Sequence, residues 1–344
     1  MTLLDRIRGE IQASGPMPFE RFMGLALYDP DGGFFGSGPL RSTKSGDFLT
    51  SPEVSPWFGR TLANAIGEPG TVVEVGAGSG SLLRPLVDAL PAPPERVVAV
   101  DASPASQTAL GDLGFETARD LADLEEPFAG AIIANELLDN LPMRIAARAG
   151  DSWVERWIGA EDAGLGFVEA PAREDTVAWL DAYAGNVPDG GVVEVQLEAA
   201  RWLRRAIDLL TTGVIIVVDY GATAEELEPR RAIGTLRTYR AHHLGPDPLL
   251  EPGATDITAD VNFTALLDVA HGAGAEAKLH RQDDFLADHG LRDEMARMRI
   301  LELELARTDD AMARLKVRSE LKDAETLLHP RGLGDFRVLL VTVG

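Results

Sequence analysis

The sequence predicts an α/β fold with a mostly parallel β-sheet, and three observations support this prediction. Four short apolar runs, at 71–76, 96–101, 130–137 and 213–221, alternate with segments of helical periodicity. Each run is apolar on both faces and ends in an acid, a glycine or a polar loop, as strands do when helices cover both sides of a sheet. A glycine-rich turn follows the first run directly.

Composition limits the classes of partner. The chain has 344 residues, 45% of them hydrophobic, which suits a large globular core. Its 55 acidic and 32 basic side chains give a net charge of −23, which repels phosphate backbones, so we expect no nucleic-acid partner. The absence of cysteine fits a reducing cytoplasm and excludes thiolate metal sites, and no metal is expected. No apolar run approaches the roughly 20 residues that span a bilayer, so we expect no membrane partner; the oligomeric state is open.

Residues 1–66 are predicted to form a helical and glycine-rich loop addition that packs on the core. LLDRIRGEI and FERFMGLALY carry apolar residues at helical spacing, and the glycines and prolines of YDPDGGFFGSGPLRSTKSGDF then interrupt the helix. Helix is expected to return at Ser55 and Pro56, a capping serine followed by a proline at the first helical position.

Residues 67–344 are predicted to form the core, with three insertions. Ser103 and Pro104 are predicted to be the cap and the first residue of the helix after the second strand, and DFRVLLVTVG is predicted to be the final strand. The segment at about 144–170 has the strand-like alternation of residues and the turn residues that are typical of a hairpin. The segment 222–262 is rich in proline and glycine and is expected to be a long loop, either functional or disordered, and 291–326 is expected to be charged helix.

The turn in VVEVGAGSGSLL, with Gly76, Gly78 and Gly80, lets a ligand approach the backbone near a helix N-terminus. Asp101 ends the next predicted strand, where a carboxylate can accept two hydrogen bonds from a ribose diol. Together the two features predict an adenosine-type cofactor.

The choice of cofactor follows from the neighbours of these glycines. Dinucleotide enzymes prefer a glycine at the sixth position of this turn, where Ser81 stands here. Glu74 would repel a pyrophosphate and suit a cation, so S-adenosylmethionine is favoured over NAD, and a nicotinamide-dependent oxidoreductase is the alternative. The residues predicted to bind the cofactor are Glu74, Gly76, Ala77, Gly78, Gly80, Asp101 and Asn135.

A third polar cluster, ANELLDNLP, follows the strand at 130–137. Ligands bind outside the carboxyl ends of parallel strands, so Asn135, Glu136 and Asp139 should face the site built by the glycine turn. Glu136 and Asp139 are three residues apart, and they share a face if a helical turn follows.

These blocks together carry a family resemblance. From about Gly15 to the final strand, the sequence resembles the MidA family, the bacterial relatives of the mitochondrial complex I assembly methyltransferase. The blocks that carry the resemblance are GPMPFERFMGLALYDPDGGFF, SGDFLTSPEVSPWFG, VVEVGAGSGSLL, ANELLDNLP, WVERWIG, VVDYG, GTLRTYRAHH and DITADVNFTAL.

The resemblance implies a class I S-adenosylmethionine-dependent methyltransferase with a Rossmann-like, seven-stranded, mostly parallel sheet. Characterised mitochondrial members methylate an arginine of a complex I subunit, which implies a protein substrate with a target arginine. Asp260 and Asn262 depart from the family, in which many members have His and Asp. His242 and His243 resemble the family's loop histidines, and whether they act in catalysis is open.

An arginine acceptor needs carboxylates, which pair with the guanidinium fork and hold one nitrogen near the methyl group. The predicted catalytic residues are Asp47, Glu53, Glu136 and Asp139, the first two from SGDFLTSPEVSPWFG. A non-catalytic assembly factor that binds the cofactor is the second alternative.

Overall fold

A computed structural model describes residues 1–40, 50–161, 164–240 and 243–344. Helices and strands are numbered here in chain order. The helices are α1 Leu3–Ser14, α2 Phe19–Tyr28, α3 Ser51–Val54, α4 Trp57–Ile66, α5 Leu83–Ala89, α6 Pro104–Asp112, α7 Glu174–Tyr183, α8 Leu197–Asp208, α9 Ala224–Leu227, α10 Phe263–Gly272, α11 Gln282–Asp288, α12 Leu291–Leu305 and α13 Ala311–Leu327. Short 3₁₀ turns cover Leu121–Asp123, Leu138–Asn140, Glu228–Ala232 and Leu333–Asp335.

The strands form four sheets. They are β1 Met17–Pro18, β2 Thr71–Val75, β3 Arg96–Val100, β4 Glu116–Ala118, β5 Phe128–Asn135, β6 Arg144–Ala149, β7 Ser152–Glu161, β8 Gly164–Pro171, β9 Val192–Val195, β10 Leu210–Asp219, β11 Gly221–Ala222, β12 Arg237–Arg240, β13 His243–Leu244, β14 Asp256–Thr258, β15 Val261–Asn262, β16 Glu276–Arg281 and β17 Arg337–Val343.

The central sheet has seven strands in the order β16-β17-β10-β5-β2-β3-β4. β17 runs antiparallel to both of its neighbours, and the other pairs are parallel. The prediction of a seven-stranded, mostly parallel sheet is therefore confirmed. The chain order reverses at β2, and β2 and β5 lie side by side there with Val73 opposite Ile132. This is the place where open α/β sheets bind ligands.

Both faces of this sheet are buried, which explains the continuous apolar runs. On one face, Val73 and Ile132 pack in a cluster with Trp202 of α8. On the other, Val72 and Ile133 pack in a cluster with Phe58 of α4. Strands covered on both sides need apolar residues at every position rather than at alternate ones.

A second sheet, antiparallel in all its described pairings, lies beside the core. Its order is β1-β7-β6-β9, with β8 paired to β7, so the predicted hairpin at 144–170 is confirmed as part of a larger sheet. Met17 of β1 pairs with Ile158 of β7. Ile7 of α1 and Phe22 of α2 share a hydrophobic cluster with Ile158. The N-terminal helices therefore pack against this second sheet.

The segment 222–262 was predicted to be a loop, and the structure corrects this. It contains short strands, with β12 paired to β13 and β14, and β11 paired to β15. These strands bring Arg237, Asp256 and Thr258 to the carboxyl edge of the core sheet. The predicted charged helix at 291–326 is confirmed as α12 and α13. Within the described ranges, no helix is both long enough and apolar enough to cross a membrane.

Candidate active site

The turn after β5 has an unusual backbone conformation. Glu136 has a φ of 50°, and among the described residues it is the single non-glycine residue with positive φ. Its N–H donates to the carbonyl of Val218 on β10 at 2.8 Å. A non-glycine residue in the left-handed region costs free energy, and such residues persist where other contacts hold the backbone, often at functional sites.

The buried carboxylate of Asp219, at the end of β10, holds the rest of this turn. Its Oδ2 accepts hydrogen bonds from the N–H groups of Leu138 and Asp139, at 2.9 and 3.3 Å. Its Oδ1 accepts from the N–H of Tyr220 at 3.0 Å. Because buried N–H groups without an acceptor destabilise a fold, Asp219 fixes the path of the chain between Glu136 and Asp139.

Asp139 is 3% exposed, and its two carboxylate oxygens differ in environment. Oδ2 accepts hydrogen bonds from the hydroxyls of Tyr220 and Thr258, the latter at 2.6 Å. Oδ1 is buried and has no donor among the described residues. One oxygen is therefore fixed by the protein and the other can accept a hydrogen bond from a ligand.

The glycine turn after β2 contains glycines with positive φ. Gly76 and Gly78 have φ of 76° and 53°, in the region that favours glycine. Asp101 ties the turn to the start of α6, because its Oδ2 accepts from the N–H of Gly78 and its Oδ1 from the N–H of Ser103, both at 2.8 Å. Each oxygen of an ionised carboxylate has a second lone pair, so Asp101 can still accept from a ligand.

Two cavities of about 480 Å³ each meet at this edge of the sheet. We call them the Asp101 cavity and the Asp139 cavity, and Gly76, Gly78, Glu136 and Asn140 line both. Their volumes lie within the range of small-molecule sites. The Asp101 cavity is also lined by Val100, Asp101, Ser103, Leu121 and Trp202. The Asp139 cavity is also lined by Glu74, Asn135, Asp139, Tyr220 and Asp256.

Three buried oxygens of residues that line the Asp139 cavity have no hydrogen-bond donor among the described residues. They are Oε2 of Glu74, Oδ1 of Asn135 and Oδ1 of Asp139. Buried acceptors of this kind are satisfied by a ligand that carries N–H groups, and a phosphate would leave them unsatisfied. The ammonium group of S-adenosylmethionine supplies such donors for the oxygens of Glu74 and Asn135, its ribose diol suits Asp101, and Oδ1 of Asp139 stays available to a second ligand. The residues present therefore fit this cofactor.

Burial makes the acids of the site hard to ionise. It raises the pKa of Glu136 to about 8, with a further contribution from the Asp139 carboxylate, although Asn135 and the Ser51 N–H stabilise the charged form. Burial also raises the pKa values of Glu74 and Asp219 well above their ordinary range. A bound cation favours the ionised carboxylates, so cation binding is coupled to proton release.

The structure brings most of the predicted residues together. Glu136 and Asp139 line the Asp139 cavity, and the predicted cofactor residues that line one or both cavities are Glu74, Gly76, Ala77, Gly78, Asn135 and Asp101. A Cβ added to Gly80 would lie 2.9 Å from Leu113 Cδ1. Gly80 therefore lets the Leu113 side chain pack closely against the turn.

The remaining predicted residues lie elsewhere. The carboxylate of Glu53 is buried and accepts a hydrogen bond from the Ser79 hydroxyl at 2.9 Å, outside the lining of both cavities. This contact favours a role in holding the glycine turn, and a catalytic role for Glu53 stays a prediction. Asp47 and His242 lie outside the described residues. His243 is exposed at the start of β13.

Sequence reasoning assigned no role to Asp219, Tyr220, Thr258 or Asp256. Asp256 accepts a hydrogen bond from the Asn140 amide at 2.8 Å. A signal existed for Asp219, because it is an acid at the end of a buried strand, as Asp101 is. Asp256 and Thr258 belong to a strand in the segment interpreted as a loop, and nothing in their spacing indicates the pairing with β12.

The sheet order, the glycine turn and the two joined cavities define a class I S-adenosylmethionine-dependent methyltransferase. Residues 57–280 match a family described as S-adenosyl-L-methionine-dependent methyltransferases. The chain belongs to this family, and more narrowly to its MidA-like members. S-adenosylmethionine is therefore the cofactor, and this outcome excludes the nicotinamide alternative.

Three relatives align with between 79% and 99% of this chain. The human mitochondrial protein arginine methyltransferase NDUFAF7 is 25% identical, over 97% of this chain and 81% of its own length. The homologue in Drosophila melanogaster is 25% identical, over 79% of this chain and 71% of its own. A crystal structure from Burkholderia thailandensis with S-adenosyl-homocysteine bound superposes with a TM-score of 0.85 at 28% identity, covering 99% of this chain and 91% of that one.

Proposed function

We propose that this methyltransferase transfers a methyl group to an arginine side chain of a protein. The observation that carries the proposal is the unsatisfied Oδ1 of Asp139, in a cavity that joins the Asp101 cavity at Glu136. The names of the NDUFAF7 relatives, protein arginine methyltransferases, support the same acceptor.

A guanidinium group matches the acids of this cavity. It has five N–H donors in a planar fork, carries a positive charge at neutral pH and pairs with carboxylates through two parallel hydrogen bonds. Asp139 offers one free oxygen, and Glu136 lies where the two cavities meet. We infer that the two carboxylates orient one guanidinium nitrogen towards the cofactor side.

The bound cofactor supplies a methyl group on a sulfonium, and in the reaction a C–N bond forms as the C–S bond breaks. The methylated nitrogen must lose a proton, since a guanidinium has no free lone pair. Glu136 is suited to accept this proton because its pKa of about 8 lies close to neutral pH. Asp139 keeps the guanidinium cation oriented through Oδ1, while the hydroxyls of Tyr220 and Thr258 hold Oδ2 of Asp139 in place.

Methyl transfer to proteins tests the proposal directly. The protein is incubated with methyl-labelled S-adenosylmethionine and a host lysate, and the labelled residues are mapped by mass spectrometry. We expect label on arginine with wild-type protein and none with Glu136→Gln. Label on another residue type, or on small molecules only, would contradict the arginine assignment and leave the methyltransferase class intact. Cofactor binding without any transfer would support the non-catalytic assembly factor.

A further inference from the structure

The Asp139 cavity has a basic rim above its acidic floor. Three arginines, Arg230, Arg237 and Arg331, line the same cavity as Asp139 and Asp256. The acids are buried, whereas the arginine side chains are partly or fully open to solvent, with exposed fractions of 49% for Arg230 and 36% for Arg237. The cavity is therefore acidic at its buried floor and basic at its exposed rim.

The positive charge of the rim arginines exceeds the negative charge of the carboxylates that form ion pairs with them. Arg230 and Arg237 both form an ion pair with Asp260, which is 4% exposed, so one carboxylate serves two guanidinium groups. Nη2 of Arg237 lies 2.5 Å from Oδ1 of Asp260, and the Arg237 guanidinium also lies over the ring of Tyr220. Nε of Arg237 is buried and has no acceptor among the described residues. One positive charge of this pair is left without a carboxylate.

Arg331 adds a second uncompensated charge. Its side chain is exposed and has no ion-pair partner among the described residues. Asp335 lines the same cavity, but its carboxylate pairs with Arg281 at 2.5 Å and with Arg337 at 3.6 Å. The rim therefore carries an excess of positive charge in a protein whose net charge is −23.

We propose that this rim selects target arginines that have an acidic residue beside them in the peptide, an inference that rests on the proposed function. The target guanidinium enters the acidic floor, and the neighbouring Asp or Glu carboxylate meets Arg230, Arg237 and Arg331. Arginine suits this task because it keeps its charge at all physiological pH values and binds a carboxylate through two hydrogen bonds.

The same rim discriminates against basic neighbours. A second Lys or Arg beside the target would meet like charges at the rim, and like-charge contacts across an interface are a common source of specificity. The overall negative charge attracts any cationic peptide over long distances, so the rim supplies the selection at short range. The expected acceptor is thus a locally acidic segment with one arginine.

A peptide library tests this selection. Each peptide has one fixed central arginine and random flanking positions, and peptides methylated by the wild-type protein are isolated and sequenced. We expect Asp and Glu to be enriched and Lys and Arg to be depleted near the target, with a preference of about three- to tenfold for an acidic over a basic neighbour.

Charge-reversal variants assign the selection to the rim. Arg331→Glu and Arg230→Glu should each reduce or reverse the preference. The matched control is Arg292→Glu, an exposed arginine at the start of α12 that lines neither cavity, and it should keep the wild-type preference. Cofactor affinity is measured for each variant, because a loss of affinity in the rim variants would instead place these arginines on the cofactor carboxylate and overturn the proposal.

The remaining outcomes separate this inference from the function on which it rests. Methylated arginines without any preference for acidic neighbours would overturn the inference and keep the proposed function. A preference that is unchanged in both rim variants would overturn it too. If the wild-type protein methylates no arginine in any peptide of the library, the arginine assignment for peptide acceptors fails, and the inference fails with it.

Discussion

Asp219 and Leu138 lie 81 residues apart in the chain and are joined by a hydrogen bond of 2.9 Å from the Leu138 N–H to the Asp219 carboxylate. The bond connects the end of β10 to the turn that follows β5, and these strands are neighbours in the sheet. Asp219 also accepts from the N–H groups of Asp139 and Tyr220. A single buried carboxylate thus holds the backbone on both sides of the proposed acceptor site.

We expect Asp219→Ala to lower both stability and the rate of methyl transfer. The substitution leaves buried N–H groups without an acceptor, which costs about 1–3 kcal/mol in the free energy of unfolding. Urea denaturation measures this loss, and kcat should fall at least about tenfold as the Glu136 turn moves. Asp219→Asn is the matched control, because its amide oxygen still accepts a hydrogen bond. An Ala variant with wild-type kcat would show that the turn holds its position without Asp219.

The core sheet was predictable because its strands are buried on both faces. The runs at 71–76 and 96–101 coincide with β2 and β3 to within one residue. β4 has three residues with mostly exposed side chains, and β16 is exposed or half-buried at every position, so neither has a continuous apolar run. Strands at the two ends of an open sheet are the least covered, and their sequences carry the weakest signal.

The site was predictable where a residue directly follows a predicted strand. Asp101 and Glu136 were found in this way, since both lie at the carboxyl ends of parallel strands. Thr258 reaches the site from β14, and its approach depends on pairing between short strands that have no apolar pattern. The left-handed conformation of Glu136 could not be anticipated, because it arises from the contacts around the turn rather than from a residue preference.

Glu136→Gln and Glu53→Gln should have different effects. Glu136 is the proposed proton acceptor, so its amide variant should lose methyl transfer by at least about a hundredfold. Its cofactor affinity should stay nearly unchanged, because Glu74 and Asp101, the proposed cofactor contacts, are retained. Glu53 accepts a hydrogen bond from Ser79 in the glycine turn, so its variant should bind the cofactor more weakly. Calorimetry and a labelled-methyl assay separate the two effects. Abolished transfer with unchanged cofactor affinity in Glu53→Gln would restore the catalytic role predicted from the sequence.

Asp101→Ala should weaken cofactor binding by about 1.5–3 kcal/mol, as expected for the loss of hydrogen bonds to a charged group. The change removes the acceptor for the ribose diol and also the contact that holds the Gly78 N–H. Isothermal titration with S-adenosyl-homocysteine measures the effect. Asp101→Asn keeps one acceptor oxygen and should lose less. A dissociation constant unchanged by either substitution would remove Asp101 from the cofactor site.

The raised pKa of Glu136 predicts how stability depends on pH. In the folded protein this carboxyl has a pKa of about 8, against an ordinary value of 4.5. Between these two pH values the unfolded chain loses the proton and the folded protein keeps it, so the folded state binds more protons and the free energy of unfolding falls as pH rises. Below pH 4.5 the carboxyl is protonated in both states, and the penalty is absent.

Glu136→Gln removes this titration, because an amide does not ionise in this range. We therefore expect the variant to gain stability relative to wild type as the pH is raised from 4.5 towards 8, with no further gain above about pH 8. Urea denaturation of both proteins across this range measures the difference. The same protonation should make kcat/KM of the wild-type protein for an arginine peptide rise with pH over this window, since only the ionised carboxylate pairs with a guanidinium. A stability difference that stays constant from pH 4.5 to 8 would contradict the raised pKa, and with it the role of Glu136 as the proton acceptor.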